Sequence, residues 1–247
     1  MASLDLIGAM ALTAGAAAIA STLVPAGLAD RRARFVAGGL LALWFVLLIA
    51  GVAAAAPDAR LGLGVPQLGL AVLAPILVAL ALAALLPQLR AAVRAIPLPV
   101  LIAVHVVRLE GVFFVLLYFS DRLPAPFAPT AGWGDMAIGA AAPFVAWLAA
   151  RGTEGWRGVT WLWNGLGLLD LFTALGLGVV SADGSPVQLI VASPNTSAVT
   201  QLPWILIPAF LVPLLMLTHF AIVDRLLRTR SRVSSSDLGR WASGRSA

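Results

Sequence analysis

The chain has no cysteine and no lysine, only two histidines and a single tyrosine among its 247 residues. Without cysteine there are no disulfides, thiolate metal sites or thiol nucleophiles. Without lysine the chain cannot carry retinal or another aldehyde as a Schiff base. The lysine of a GxxxxGK[ST] phosphate-binding loop is missing as well. Neither an HExxH zinc motif nor a GxSxG nucleophile elbow occurs, which leaves little support for a membrane hydrolase. Charge is scarce too. Charged residues are 11% of the total, whereas a soluble domain carries about 25%.

What remains is apolar. Hydrophobic residues make up 61% of the chain and mean hydropathy is +0.98, the signature of an integral membrane protein. A span needs roughly 20 apolar residues, and seven can be placed, at about 5–25, 34–54, 66–86, 97–119, 134–150, 159–180 and 202–224. Residues 1–8 include Asp5 and no basic residue, so the first segment lacks the positive start of a signal peptide and is read as a retained helix. The expected fold is an all-α bundle of seven transmembrane helices over residues 1–224. An Arg/Ser-rich tail, 225–247, is expected to be irregular.

All sixteen basic residues are arginine, and their placement gives an orientation. Thirteen lie after the first, third, fifth and seventh spans, against Arg60 and Arg122 on the other side, with Arg108 inside a span. The positive-inside rule then puts the N-terminus outside and the C-terminus in the cytoplasm, which requires an odd number of spans. The net charge of +5 therefore reflects topology and does not point to nucleic acid. The tail suits anionic cytoplasmic lipids. The alanine- and arginine-rich composition suggests a bacterial plasma membrane. Two outer connections are long: 120–133, with three prolines, is expected to be irregular, and 181–201 is expected to be a loop or a lid.

The polar residues inside the spans carry the functional signal, because each costs a few kcal/mol near the midplane. His105, Arg108 and Glu110 share the fourth span. At 100° per residue, His105 and Arg108 share one face and Glu110 points about 200° away from Arg108. Each charge therefore needs its own partner on a different neighbour, and the fourth span is expected at the centre of the bundle. Asp170 and Asn164 lie on the sixth span, and Arg108 and Asp170 are at similar depth, so an ion pair between them is expected. Asp135 is expected at the outer start of the fifth helix, as a helix-terminal acid or at the mouth of a ligand site. His219, on the seventh span, lies about one turn from the depth of His105, a placement that also suits axial ligation of a b-type haem or a metal. Pro208 and Pro213 should bend the seventh helix. Trp161, Trp163 and Trp204 are expected at the lipid interface. The small-residue-rich first helix is expected to pack closely.

The pieces Arg-Leu-Glu-Gly from Arg108, Leu-Pro-Ala-Pro-Phe-Ala from Leu123 and Ala-Gly-Trp-Gly-Asp ending at Asp135 resemble segments of uncharacterised multi-pass bacterial membrane proteins. The resemblance covers about residues 108–135. It implies a multi-pass membrane protein and assigns no activity.

Three functional expectations follow. The first is a small transporter or permease for a small molecule or ion, in which Arg108 binds an anionic group or gates by pairing with Asp170, while Glu110 and His105 carry protons. The second is electron transfer through haem b held by His105 and His219. The third is an accessory or scaffold subunit, within an oligomer or larger membrane complex, whose buried charges only lock helices together.

Overall fold

The computed structural model describes residues 3–55 and 65–243. These form α1 (Ser3–Gly27), α2 (Arg31–Ala55), α3 (Val65–Leu85), α4 (Pro87–Ala95), α5 (Leu98–Ala103), α6 (Val112–Phe119), α7 (Phe127–Arg151), α8 (Trp156–Val180) and α9 (Val212–Ser243). No strand occurs among the described residues. Seven helical stretches are long and apolar enough to cross a membrane, and the chain is a multi-pass membrane protein. The fourth span, Leu98–Phe119, is built from α5, α6 and a 3-10 stretch, Val104–Gly111, between them. The seventh, Ile207–Arg228, opens with a π-helical turn, Ile207–Leu211, that runs into α9. Arg60 lies outside the described residues, as does the end of the tail from residue 244.

The fourth and seventh spans form the centre. Of their most apolar stretches 56% and 67% are buried, against 6% in the second span and 11% in the third. The 3-10 geometry explains the fourth span's burial pattern. With three residues per turn, positions three apart stack on one line. Ile102, His105, Arg108, Gly111 and Phe114 are all buried, whereas Val106 and Leu109 are exposed. That buried line lies against α7, where small residues allow close approach. A Cβ on Gly111 would stand 2.9 Å from the Gly132 carbonyl oxygen, and one on Gly132 would stand 2.8 Å from that of Gly111. Farther along α7, a Cβ on Gly139 would stand 2.8 Å from the Leu109 amide nitrogen. At three positions, then, the two backbones touch with no side chain between them.

The fifth helix begins at Phe127, seven residues before the expected 134. Pro126 sits at the N-cap and Pro129 in the first turn, where amide hydrogens have no helical acceptor, so neither proline breaks the helix. At its other end Gly152 adopts φ 62 and donates its N–H to Leu148, turning the chain sharply into α8. Residues 181–201 form a compact loop. The amides of Leu189 and Ile190 both donate to the Val180 carbonyl at 2.9 Å, and a 3-10 turn, Thr196–Thr200, tucks Val199 inside. The tail is helical as far as Ser243, in place of the irregular segment expected. No glycine or proline interrupts 214–238, and an Asp224–Arg228 pair one turn apart supports the exit from the seventh span.

Two of the three expected interfacial tryptophans are core residues. Trp204 is buried, donates its indole N–H to Asp5 at 2.9 Å and packs on Gly8 of α1. Arg122 reaches the same Asp5 oxygen at 2.8 Å and lies over the Trp204 ring. This cluster ties the first, fourth and seventh spans together at their arginine-poor end. Trp163 is also buried and donates to the Ile138 carbonyl at 3.1 Å. Only Trp161 keeps substantial exposure.

Candidate functional site

Arg108 is the hub of the polar core. Its position on the 3-10 stretch aims it between α7 and α8, and its side chain is 1% exposed. Nε donates to Asp135 Oδ1 at 2.7 Å, and Nη2 donates to Asp170 Oδ2. Nη1 donates to the Gly167 carbonyl at 3.2 Å and meets His219 Nε2 at 3.1 Å. Four acceptors from three helices thus saturate most of the five N–H groups of one guanidinium. Such a cation, stripped of water, is tolerable only because each lost hydration contact is replaced and two carboxylates stand beside it.

The surrounding residues make room for these contacts. Gly134 leaves space on α7 for the Asp170 carboxylate, which lies directly against it. A Cβ on Gly167 would stand 2.8 Å from His219 Nε2 and 3.2 Å from Arg108 Nη1. Larger residues at either position would push the network apart.

Both histidines are fully buried, and their hydrogen bonds assign their tautomers. A guanidinium can only donate, so His219 Nε2 accepts from Arg108, and its Nδ1–H donates to Asn164 Oδ1 at 2.8 Å. Thr218 donates its hydroxyl hydrogen to the Leu215 carbonyl at 2.7 Å, which leaves its oxygen to accept from His105 Nε2–H at 2.9 Å. Among the described residues, His105 Nδ1 and Asn164 Nδ2 have no hydrogen-bond partner. The two imidazoles are opposite tautomers in direct contact, with ring centroids 4.1 Å apart and Trp163 edge-on to His105 at 5.2 Å.

This arrangement does not fit the haem reading. Axial ligands must face one another across a porphyrin, and here the rings touch with no slot between them. Both Nε2 atoms are already engaged. The expectation failed because sequence depth places two residues at a level but gives no separation within it.

Asp135 lies two turns inside α7, buried against Arg108, and so does not cap the helix. It also forms part of the wall of an otherwise apolar cavity of about 210 Å³ in the arginine-poor half of the bundle. Phe114, Phe127, Leu171 and Ile207 contribute to that wall, as do Thr196 and Thr200 of the 181–201 loop. Oδ1 of Asp135 accepts from Arg108, and no hydrogen bond reaches Oδ2 among the described residues. Glu110 points elsewhere, as the angular argument required. Its carboxylate lies against Gly15 of α1, and Oε2 has no hydrogen-bond partner among the described residues. A space of about 20 Å³, large enough for one water molecule, joins Glu110 to Arg108 and Asp135.

The structure therefore gathers Arg108, Asp135, Asp170, His219, Asn164 and His105 into one connected core, with Glu110 beside it. Sequence reasoning had not paired Asp135 with Arg108. The small-polar spacing Gly132, Asp135, Gly139 was the available signal for a helix facing a crowded neighbour.

Fold and site together define a multi-pass helical membrane protein with a desolvated arginine–carboxylate core. Residues 65–227 match the family described as Domain of unknown function (DUF8737), and the chain belongs to that family. The match contains the third to sixth spans, the seventh as far as Leu227, and every residue of the Arg108 network. No curated protein and no solved structure matches the chain.

Proposed function

We propose that the protein is a small permease of the bacterial plasma membrane, with its N-terminus outside and its C-terminus cytoplasmic, in which the Arg108 network is a gate. The observation that carries this reading is the 210 Å³ cavity ending on Asp135, a carboxylate engaged on one oxygen only. Arg108 serves as the latch and not as an anion receptor, since an anionic substrate would have to displace a carboxylate from it. Two carboxylates against one guanidinium leave a negative charge to be balanced by a proton or by a cationic group entering the cavity. Asp135 is the first acceptor, and Glu110, one water-length beyond, is the second. Both non-α segments lie beside this point, as in transporters whose sites form where spanning helices are discontinuous. His105 holds Thr218 and packs on His219, a supporting role.

The protein in liposomes loaded with a pH-sensitive dye, exposed to panels of small organic cations, anions and neutral solutes, provides the test. At least one panel should drive proton movement in the wild type, and Asp135→Asn should abolish it while the protein remains folded. Silence of folded wild-type protein across all three panels would count against the permease reading.

A further inference from the structure

A second cavity, at the arginine-rich end, has a different chemistry. It is a groove of about 360 Å³ between α3, α4 and α9. Its walls are apolar, and Ala79, Ala83, Ala84 and Ala221 leave open the space that larger side chains would fill. It reaches from Arg225 to Leu217, a depth of about 12 Å at 1.5 Å per residue. The rim is basic. Arg90 and Arg94, one turn apart on the amphipathic α4, stand there with Arg225, against the single carboxylate of Asp224.

Most of the rim charge is engaged in holding α4 onto α9. Arg94 Nε reaches Asp224 at 3.1 Å, Arg228 shares that carboxylate at 2.9 Å, and Arg225 donates to the Ile96 carbonyl at 2.8 Å. Arg90 is different. Its guanidinium makes no hydrogen bond or ion pair among the described residues, although the residue is half-buried at the mouth of the groove.

From this we infer that the groove is a binding site for an anionic phospholipid, with the phosphate on Arg90 and an acyl chain lying along the alanine wall. Basic pockets between spanning helices recognise acidic headgroups in this way. Three arginines facing one carboxylate favour a net-negative headgroup over a zwitterionic one, whose ammonium they repel. The site is separate from the Arg108 network and does not depend on the permease reading.

The purified full chain in detergent, titrated with phosphatidylglycerol or phosphatidylcholine, tests this by native mass spectrometry and thermal unfolding. Phosphatidylglycerol should be retained several-fold better and should raise the unfolding temperature more. Arg90→Gln should remove most of that preference. Ala83→Leu, which fills the groove and leaves the charge intact, should weaken retention of both lipids. Arg31→Gln, at an exposed arginine near the same end, should change neither. Equal retention of the two lipids by the wild type would overturn the assignment. So would an undiminished preference in Arg90→Gln together with undiminished retention in Ala83→Leu.

Discussion

The second and fourth spans have similar lengths and apolarity yet are built to face opposite solvents. The second has a mean hydropathy of 2.5 and is 6% buried: Phe35, Leu40, Leu43 and Leu47 face outward, and a narrow face from Trp44 to Val52 meets the bundle. The fourth, at 2.3, is 56% buried and carries a guanidinium, a carboxylate and an imidazole. Average hydropathy thus separates membrane from water but not lipid from protein interior. Placement of the few polar and small residues makes that second distinction. Where lipid is the neighbour, any apolar side chain serves; where another helix is the neighbour, the backbones must nearly touch and every polar atom needs a partner.

The largest effect should follow from removing the hub. Arg108→Leu leaves Asp135 and Asp170 buried without their cation and should cost about 3–5 kcal/mol. Thermal unfolding in detergent measures it, and adding Asp135→Asn with Asp170→Asn should restore part of the loss. If Arg108→Leu proves neutral, the fourth span is no different in kind from the second. Next comes the backbone contact. Gly132→Ala forces a Cβ toward the Gly111 carbonyl oxygen and should cost about 1–3 kcal/mol by overpacking, whereas Gly38→Ala on α2, with open space around it, should be neutral or slightly stabilising. The two unfolding midpoints should move in opposite directions or differ clearly. Trp204→Phe should cost about 1 kcal/mol, the value of one net hydrogen bond, and Asp5→Asn should retain more of that stability than Asp5→Ala. The smallest change belongs to Leu43→Ala on α2, expected within about 0.5 kcal/mol because no packed neighbour is lost. A large loss there would mean that the outward face of the second span also has a protein partner, and the contrast drawn above would need revision.

How far the sequence alone reached follows the same division. Seven spans were legible because twenty apolar residues in a row have few alternatives, and the Arg108–Asp170 pairing was legible because intramembrane charges are so few. The start of the fifth helix was misread since Pro124, Pro126 and Pro129 look like loop chemistry, although prolines at a helix start remove only amides that lack acceptors. That error moved Asp135 to the membrane surface and concealed its contact with Arg108. The tryptophans were misplaced for a related reason: an indole near a span end serves lipid and protein equally well until its N–H finds an acceptor. The 3-10 stretch was invisible to an argument that assumed 100° per residue. Its trace was the spacing of three between His105, Arg108 and Gly111.

That stretch has a consequence for the whole C-terminal half of the fourth span. A 3-10 helix advances about 2.0 Å and 120° per residue, against 1.5 Å and 100° in an α-helix. Over the eight residues Val104–Gly111 the difference accumulates to about 4 Å of length and about 160° of rotation. Wound as an ordinary α-helix, the same sequence would swing Phe113 and Phe114 almost to the far side and draw Arg122 away from Asp5. The side of α6 that meets protein is therefore chosen one helix earlier, by the pitch of the segment that carries the charges.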